Sequence, residues 1–310
     1  MSVSNFDLLI VGGGAAGLSC AIYAVRYNLR TVVISSDFGG QILETSDIEN
    51  WPGIKSITGS MLSKNFEDHA RSLGASLVYG FVKAVKREEK NFRVETDANG
   101  FEEVFVKSVV LTSGAKHKKL GIRGEKELSG RGISYCATCD GAFFKNKVVA
   151  VVGGGDSAIT GALDLASNAA KVYVIHRRDV FKAKPSYVDA ARAHPKIDFI
   201  METNLVEVGG SNKLEYVILD KDYKDSNRLL LDGVFVEVGF LPETELVRNL
   251  GVEFDDQGYL KVAKDQSTNI PGLFAAGDVT NASNRFAQLV TAASEGAIAA
   301  EASFRYIAFK

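Results

Sequence analysis

The 310-residue chain is poor in several residue types: it has 3 Cys, 5 Pro, 3 Met and a single Trp. So few thiols exclude a disulfide-stapled secreted scaffold, in which several cross-links do the work of a core. There is no excess of positive charge, with 36 Lys and Arg against 38 Asp and Glu. The net charge of −2 argues against nucleic acid as a partner, because phosphate recognition needs clustered cations. No apolar run approaches the roughly 18 residues of a membrane span. The opening MSVSNFDLL has no basic segment ahead of its hydrophobic stretch, so no targeting leader is expected. Low-complexity tracts, long linkers and charge blocks are also missing. These absences together predict a soluble, cytoplasmic globular protein with no nucleic-acid or membrane partner.

What the chain has in quantity is glycine, 30 residues of it, and enough length for two domains at about 150 residues each. The glycines mark an internal duplication. FDLLIV (6–11) is a short apolar run that enters Gly12-Gly13-Gly14-Ala15-Ala16-Gly17, followed by a helical LSCAIYAVRY and a second strand over 31–34. The pattern returns as KVVAVV (147–152), Gly153-Gly154-Gly155-Asp156-Ser157-Ala158, a helix, and the strand KVYVI (171–175). Continuous apolar runs of this length, bounded by glycine, read as buried parallel strands. Each copy continues alike. FRVET and EEVFV flank Asp97-Ala98-Asn99-Gly100, a hairpin signal, ahead of a strand over 109–115. LVEV and KLEYVILD flank 209–212, ahead of a strand over 234–240. Beyond Pro242 the chain is too short for a third domain. It holds GLFAAGDV (272–279) and an Ala-rich helix from about Gln288, and one reading is that it returns to complete the first domain.

A strand, a glycine turn and a helix N-terminus form a phosphate cradle. The first glycine permits the tight turn and the second lets backbone approach a pyrophosphate. The third position, Gly or Ala, lets the helix pack close to the strand. The candidate cofactor residues are therefore Gly12, Gly14, Ala15, Ala16 and Gly17 in the first unit, and Gly153, Gly155, Asp156, Ser157 and Ala158 in the second. The plainer reading, that such turns merely save space, weakens when the context is met twice. The strand KVYVI runs into His176-Arg177-Arg178-Asp179, with Lys182 nearby. A 2′-phosphate is a dianion that guanidinium groups bind through paired hydrogen bonds, so this cluster points to NADPH rather than to a solvated basic patch. In the first unit the corresponding strand ends at Ser35-Ser36 without the acidic residue often found there. Ribose recognition would then fall to hydroxyls such as that of Ser35, or to backbone.

Two of the cysteines form Cys136-Ala137-Thr138-Cys139, followed by Asp140. Tetrahedral zinc needs four ligands, and only Cys20 and 4 scattered histidines remain, with no second pair at ligand spacing. Metal is thus not expected, and a redox-active dithiol is favoured over inert structural thiols. Asp140 is a candidate proton donor and acceptor, though an ordinary turn aspartate would look the same. A dithiol stores the two electrons that NADPH delivers as hydride, but hydride does not pass readily from nicotinamide to a disulfide. A flavin is the natural intermediary, so the first site should hold FAD.

In this combination the chain resembles the low-molecular-weight, FAD-containing thioredoxin reductases. The resemblance spans essentially the whole chain: GGGAAG (12–17), GGQI (39–42), ENWPG (49–53), CATCDG (136–141), GGGDSA (153–158), HRRDVFKA (176–183) and GLFAAGDV. It implies an α/β fold with two Rossmann-like dinucleotide-binding domains, of the two-dinucleotide-binding flavoprotein type. The FAD domain would be discontinuous, over 1–116 and 243–310, and the inserted NADPH domain, over 117–242, would carry the CxxC pair. By resemblance, Gly39, Gly40, Gln41, Ile42 and Asn50 would lie by the flavin, and Gly277 and Asp278 by its ribityl and pyrophosphate groups. Backbone from Arg285 to Gln288 would face the ring. Cys139 would be the thiol next to the flavin, and Cys136 would attack the disulfide of thioredoxin or a thioredoxin-like protein, with Asp140 assisting. Such enzymes rotate the NADPH domain, here about hinges near 114–118 and 239–243, and are typically homodimers.

Three positions depart from the family pattern. Lys182 replaces an arginine, keeping the charge but losing the fork. Thr160-Gly161 stands where paired glutamates are usual, and NRFAQL (284–289) separates Arg285 from Gln288. The alternative activity is a flavin-dependent NAD(P)H reductase passing electrons to ferredoxin or oxygen, against which the intact pair counts. A redox-responsive binding module would hold FAD without turnover. A peroxidase-reductase subunit would need an additional N-terminal domain, for which the first strand, starting near Phe6, leaves no room.

Overall fold

The computed structural model describes residues 2–3, 6–44 and 48–309. The chain forms two compact units, Met1–Lys116 with Leu241–Lys310 and, inserted between them in sequence, His117–Phe240.

The first unit is built on a parallel sheet in the order Leu273–Ala275, Ser108–Leu111, Leu8–Gly13, Thr31–Phe38, Ser76–Tyr79. Side chains alternate across a strand. Leu8 and Ile10 accordingly enter the core shared with the helices Ala15–Arg26 and Leu289–Phe309. Leu9 and Val11 enter the core on the opposite face. There the sheet packs against an antiparallel meander of Val82–Glu88, Asn91–Thr96 and Glu103–Val106, with Ser2–Val3 at its edge. Burial on both faces is why this strand reads as an unbroken apolar run, each large side chain contributing about 1.5–3 kcal/mol. The two helices meet almost backbone to backbone, since a Cβ added at Gly296 would lie 2.0 Å from the Ala16 carbonyl. At the base of the sheet the Asp7 carboxylate accepts a forked pair of bonds from Arg30, 2.9 and 3.0 Å, and pairs with Lys107 at 3.0 Å. The Arg30 hydrogen bonds, joined by Lys107, hold this carboxyl well below the usual carboxylate range.

The second unit repeats the plan. Its parallel sheet runs Ile133–Ser134, Gly233–Val236, Val148–Val152, Lys171–Ile175, Ile197–Ile200. Val149 and Val151 face the helices Asp156–Asn168 and Pro185–Ala193, while Ala150 and Val152 face the meander Leu205–Gly209, Tyr216–Tyr223 and Ser226–Leu230. The sheets differ in their outermost strand. In the first unit it arrives late, after the insertion, and in the second it precedes the glycine-turn strand.

Two strands are shorter than their apolar runs predict. The run over 109–115 pairs as Ser108–Leu111; the Thr112 amide still donates to Val11 O at 2.9 Å, and the chain then turns at Gly114, whose φ is +74°. Pairing resumes only at Ala115–His117, beyond Gly114. The run over 234–240 likewise stops at Val236 and resumes at Phe240–Pro242. Among the described residues no helix is long and apolar enough to cross a membrane.

Candidate active site

The chemistry of the cysteine pair depends on the turn that holds it. Cys136 and Cys139 are joined in a disulfide with a Cα separation of 5.3 Å. Both are half-buried, while Thr138 between them is exposed. Cys136 caps a one-turn helix, Ala137–Asp140, that contains Cys139, and the Cys139 amide donates to Cys136 Sγ at 3.2 Å. Ser134 ties the turn from below: its hydroxyl accepts the Cys136 amide at 3.1 Å and donates to Asp140 Oδ2 at 2.7 Å. Burial pushes the Asp140 carboxyl up, opposed by that Ser134 bond. The turn rests on the helix Asp156–Asn168 through Gly161, where a Cβ would come within 2.9 Å of Ala137 Cβ. Gly161 therefore gives the redox turn its seat, and Thr160 back-bonds to Asp156 O at 2.9 Å within its own helix.

That same helix begins at the second glycine turn. A side-chain cap satisfies some of a helix's leading amides, as Thr58 does for Gly59–Ser72 by accepting from Met61 at 3.3 Å. Neither Ala15–Arg26 nor Asp156–Asn168 has such a cap. Their N-terminal amides are left for an external acceptor, and the space beside them is open: a Cβ at Gly155 would meet nothing within 4 Å, and one at Gly14 only Gly39 O, at 4.0 Å. Both cradles fit a pyrophosphate.

In the second unit the basic loop is laced to this turn. The Lys182 amide donates to Gly154 O at 2.8 Å and the Lys184 amide to Asp156 Oδ1 at 2.8 Å. Arg177, Arg178 and Lys182 are exposed, and none pairs with a carboxylate among the described residues. His176 takes a different place: its ring lies buried over Gly154, Nε2 3.1 Å from Val180 O and the ring stacked on Phe181. Burial first, then the charges of Arg178 and Arg177, lower its pKa against the opposing Val180 bond. His176 thus supports the turn while the guanidinium groups face solvent. Ser157 and Ala158 occupy the first turn of the helix, with Ala158 fully buried against the sheet.

The first unit closes more tightly. Gly12 has φ +106°, and a Cβ there would lie 2.5 Å from Thr112 O. A Cβ at Gly17 would fall 1.9 Å from Gly12 O. Ala15 and Ala16 are buried in the first helical turn. Ser35 spends its hydroxyl on the Gly13 amide at 2.9 Å. Gly39 and Gly40 lead into a short turn, Gly40–Glu44, carrying Gln41, whose Nε2 donates to Ala115 O at 2.5 Å, and the buried Ile42. Asn50 and Gln288 are brought together, with Asn50 Nδ2 donating to Gln288 Oε1 at 3.1 Å. Arg285 is drawn away to Asp255 at 2.7 Å. Gly277 and Asp278 follow the strand Leu273–Ala275, and the Gly277 amide donates to the buried Glu295 at 2.7 Å. Desolvation, with the Glu295 charge behind it, pushes the Asp278 carboxyl up to about 6.

Three residues that the motifs did not single out also build the site. Asp37 accepts the Gly40 amide at 2.7 Å and so sets the loop; an acid three residues ahead of a turn glycine is the local signal. Glu295 gathers Gly277 and Ser283, and Glu237 accepts the Ala137 amide between the two cysteines at 3.1 Å. The latter two carry no local signal, since their partners are distant in sequence.

The profile of the family described as pyridine nucleotide-disulphide oxidoreductase matches residues 6–296. The chain is 41% identical over 305 residues to the thioredoxin reductase of Listeria monocytogenes, covering 97% of this chain and 94% of that one. It is 41% identical over 308 residues to the thioredoxin reductase of Treponema pallidum, covering 98% of each. The crystal structure of thioredoxin reductase from Streptococcus pyogenes superposes with a TM-score of 0.89 at 36% identity, covering 98% of this chain and 99% of that one.

Proposed function

The chain belongs to the pyridine nucleotide-disulphide oxidoreductases, among the thioredoxin reductases, and on that premise we propose how its residues divide the work. It is an NADPH-dependent flavoprotein that reduces the disulfide of thioredoxin. The discontinuous unit holds FAD at residues 12–17, 35, 39–42 and 277–278, together with Asn50 and Gln288. The inserted unit holds NADPH at residues 153–158, with Arg177, Arg178 and Lys182 on the 2′-phosphate. The open, uncapped cradles and the unpaired cations support this division. Bound FAD supplies the two-electron relay between a nicotinamide and a disulfide.

The carrying observation is the Cys136–Cys139 disulfide, seated through Gly161 on the helix that starts at the second cradle. Once the pair is a dithiol, the Cys136 thiolate attacks one sulfur of the thioredoxin disulfide, forming a mixed disulfide and releasing the other sulfur as a thiolate. Cys139 then attacks Cys136 Sγ, which closes the 136–139 bond and frees the second thioredoxin sulfur. Asp140, with its carboxyl pushed up by burial and oriented by Ser134, holds the proton that passes between the two thiols and the departing thiolate. The enzyme works as a homodimer in the cytoplasm, where reducing conditions keep such a pair cycling. Thioredoxin-like proteins bearing the same exposed disulfide are further acceptors.

Cys136→Ser and Cys139→Ser should each abolish NADPH-driven reduction of thioredoxin, a loss of about 10³-fold or more. Both variants should stay yellow. Retained thioredoxin reduction in either one overturns the mechanism, and faster reduction of ferredoxin than of thioredoxin by the parent enzyme replaces it. Light scattering of the purified enzyme reads the dimer.

A further inference from the structure

The strand Gly233–Val236 is followed directly by Glu237, whose backbone and side chain serve two different structures. Its amide donates to Val152 O at 2.9 Å, and its carbonyl lies against the second glycine turn, where a Cβ at Gly153 would come within 2.3 Å. Its carboxylate reaches the other way and accepts the amide of Ala137 at 3.1 Å, between the two redox cysteines. The residue is half-buried, and no cation pairs with it among the described residues. A carboxylate in such a place stabilises one geometry of the turn and opposes any further negative charge there.

We propose that Glu237 is a positioning residue for the Cys136–Cys139 pair: its carboxylate clamps the turn through the Ala137 amide and, when ionised, biases the pair toward the disulfide. The proposal rests on the pair being redox-active. Reduction of the disulfide takes two electrons and one proton if one sulfur remains a thiolate, or two protons if neither does. Cys136 Sγ already accepts the Cys139 amide, an arrangement that favours its thiolate. The ionised carboxylate repels that thiolate, so the reduced state is penalised while Glu237 is charged and relieved once it takes up a proton. Burial pushes its carboxyl up to about 7, with the Ala137 bond opposing.

The other titratable groups around it are Asp140 on the redox turn, His176 beyond Gly154 and Lys118 beside Gly239. Burial holds His176 toward its neutral form, and the Asp140 carboxyl is occupied by Ser134. An Asp140→Asn background separates the titration of Asp140 from that of Glu237.

The test is a redox titration of the cysteine pair in the FAD-loaded enzyme. The protein is equilibrated with oxidised and reduced dithiothreitol from pH 5.5 to 9, and the free thiols are counted by alkylation and mass; the buried Cys20 contributes a constant background. In Glu237→Gln the pair should be about tenfold easier to reduce at pH 8, about 30 mV, and unchanged at pH 5.5. Glu237→Met, which also lacks the charge, should show the same pH-dependent shift. Glu237→Asp, which keeps the charge, should follow the parent's pH slope. The inference is overturned if Glu237→Gln tracks the parent at every pH, or if the Gln and Met variants shift equally at pH 5.5 and pH 8, as loss of a purely structural bond would require. A pair that does not titrate at all fails the redox reading itself, and this measurement uses neither NADPH nor thioredoxin.

Discussion

The two units share the order of four of their five sheet strands, a glycine turn and a meander, yet they treat the third position of the turn differently. Gly17 lies so close to its own turn that a Cβ would fall 1.9 Å from Gly12 O and 2.8 Å from Thr112 Oγ1. The second unit has Ala158 at that place, fully buried and accommodated. Around the first turn the neighbouring polar groups are used up internally, Ser35 on Gly13 and Asp37 on Gly40. Around the second, the following loop is tied on by the amides of Lys182 and Lys184, and Arg177, Arg178 and Lys182 have no carboxylate partner among the described residues. The first turn is thus packed tightly from behind by backbone, and the second is looser and carries charged arms.

The largest effect should come from forcing one unit to resemble the other. Gly17→Ala puts a methyl into backbone and should cost about 3 kcal/mol or more, with loss of bound flavin. The reciprocal Ala158→Gly should cost about 1 kcal/mol and leave the flavin in place. Flavin absorbance and thermal melting read both, and a yellow, stable Gly17→Ala enzyme would dissolve the contrast. Next come the charged arms. Removing Arg177 or Arg178 as Ala should raise the KM for NADPH roughly 10- to 100-fold, with a smaller change for NADH and none in flavin content, because a charge-assisted bond contributes about 1.5–3 kcal/mol. Steady-state kinetics with both donors checks it, and equal effects on NADPH and NADH would remove the 2′-phosphate assignment.

Acid and base should separate the units further. Asp7, in the first unit, has its carboxyl depressed in the folded state, so its contribution is present above the ordinary carboxylate range and lost as pH falls through it. Asp7→Asn should therefore lower stability by about 2–3 kcal/mol at pH 7 and make little difference in strong acid. Glu237, in the second unit, has the opposite sign. Its folded pKa is raised to about 7, so its contribution is present below the ordinary value of 4.5 and lost as pH rises through about 7. Glu237→Gln should raise the melting temperature slightly at pH 8 and leave it unchanged at pH 4.5. Denaturant melts across that range, with hydrogen exchange to assign each change to its unit, decide both. The smallest effect on folding belongs to the open glycines. Gly14→Ala and Gly155→Ala should change stability by no more than about 0.5 kcal/mol. Each should weaken only its own nucleotide, read as flavin dissociation for the first and as KM for NADPH for the second.

Much of this architecture is legible along the chain. The strand Lys171–Ile175 coincides with its apolar run, and the hairpin at Asp97-Ala98-Asn99-Gly100 joins Asn91–Thr96 to Glu103–Val106. These features depend on near neighbours: alternation of burial and turn chemistry act over a few residues. The strand ends are less legible. The run over 109–115 stops pairing after Leu111 and turns at Gly114, whose φ is +74°, although the Thr112 amide still bonds to Val11 O. In the site, the cysteine pair and both glycine turns stand out through spacing alone. The sequence could not show that Ser35 turns to Gly13, that His176 lies beneath the basic loop rather than among its exposed cations, or that Arg285 is drawn to Asp255.

The sequence by itself therefore determined the duplicated strand–turn–helix plan, the two glycine turns, the paired cysteines and the cluster of cations that follows the strand Lys171–Ile175. All of these are written in adjacent residues whose types and intervals have direct physical meaning. Only the tertiary structure decided how tightly each cradle closes and which carboxylates acquire unusual acidity. Glu237 is an ordinary acid within the run over 234–240 until folding sets it against Ala137, 100 positions earlier, and withdraws it from water. Desolvation and hydrogen bonding are properties of what surrounds a group in space, and for Glu237 those surroundings come from distant parts of the chain.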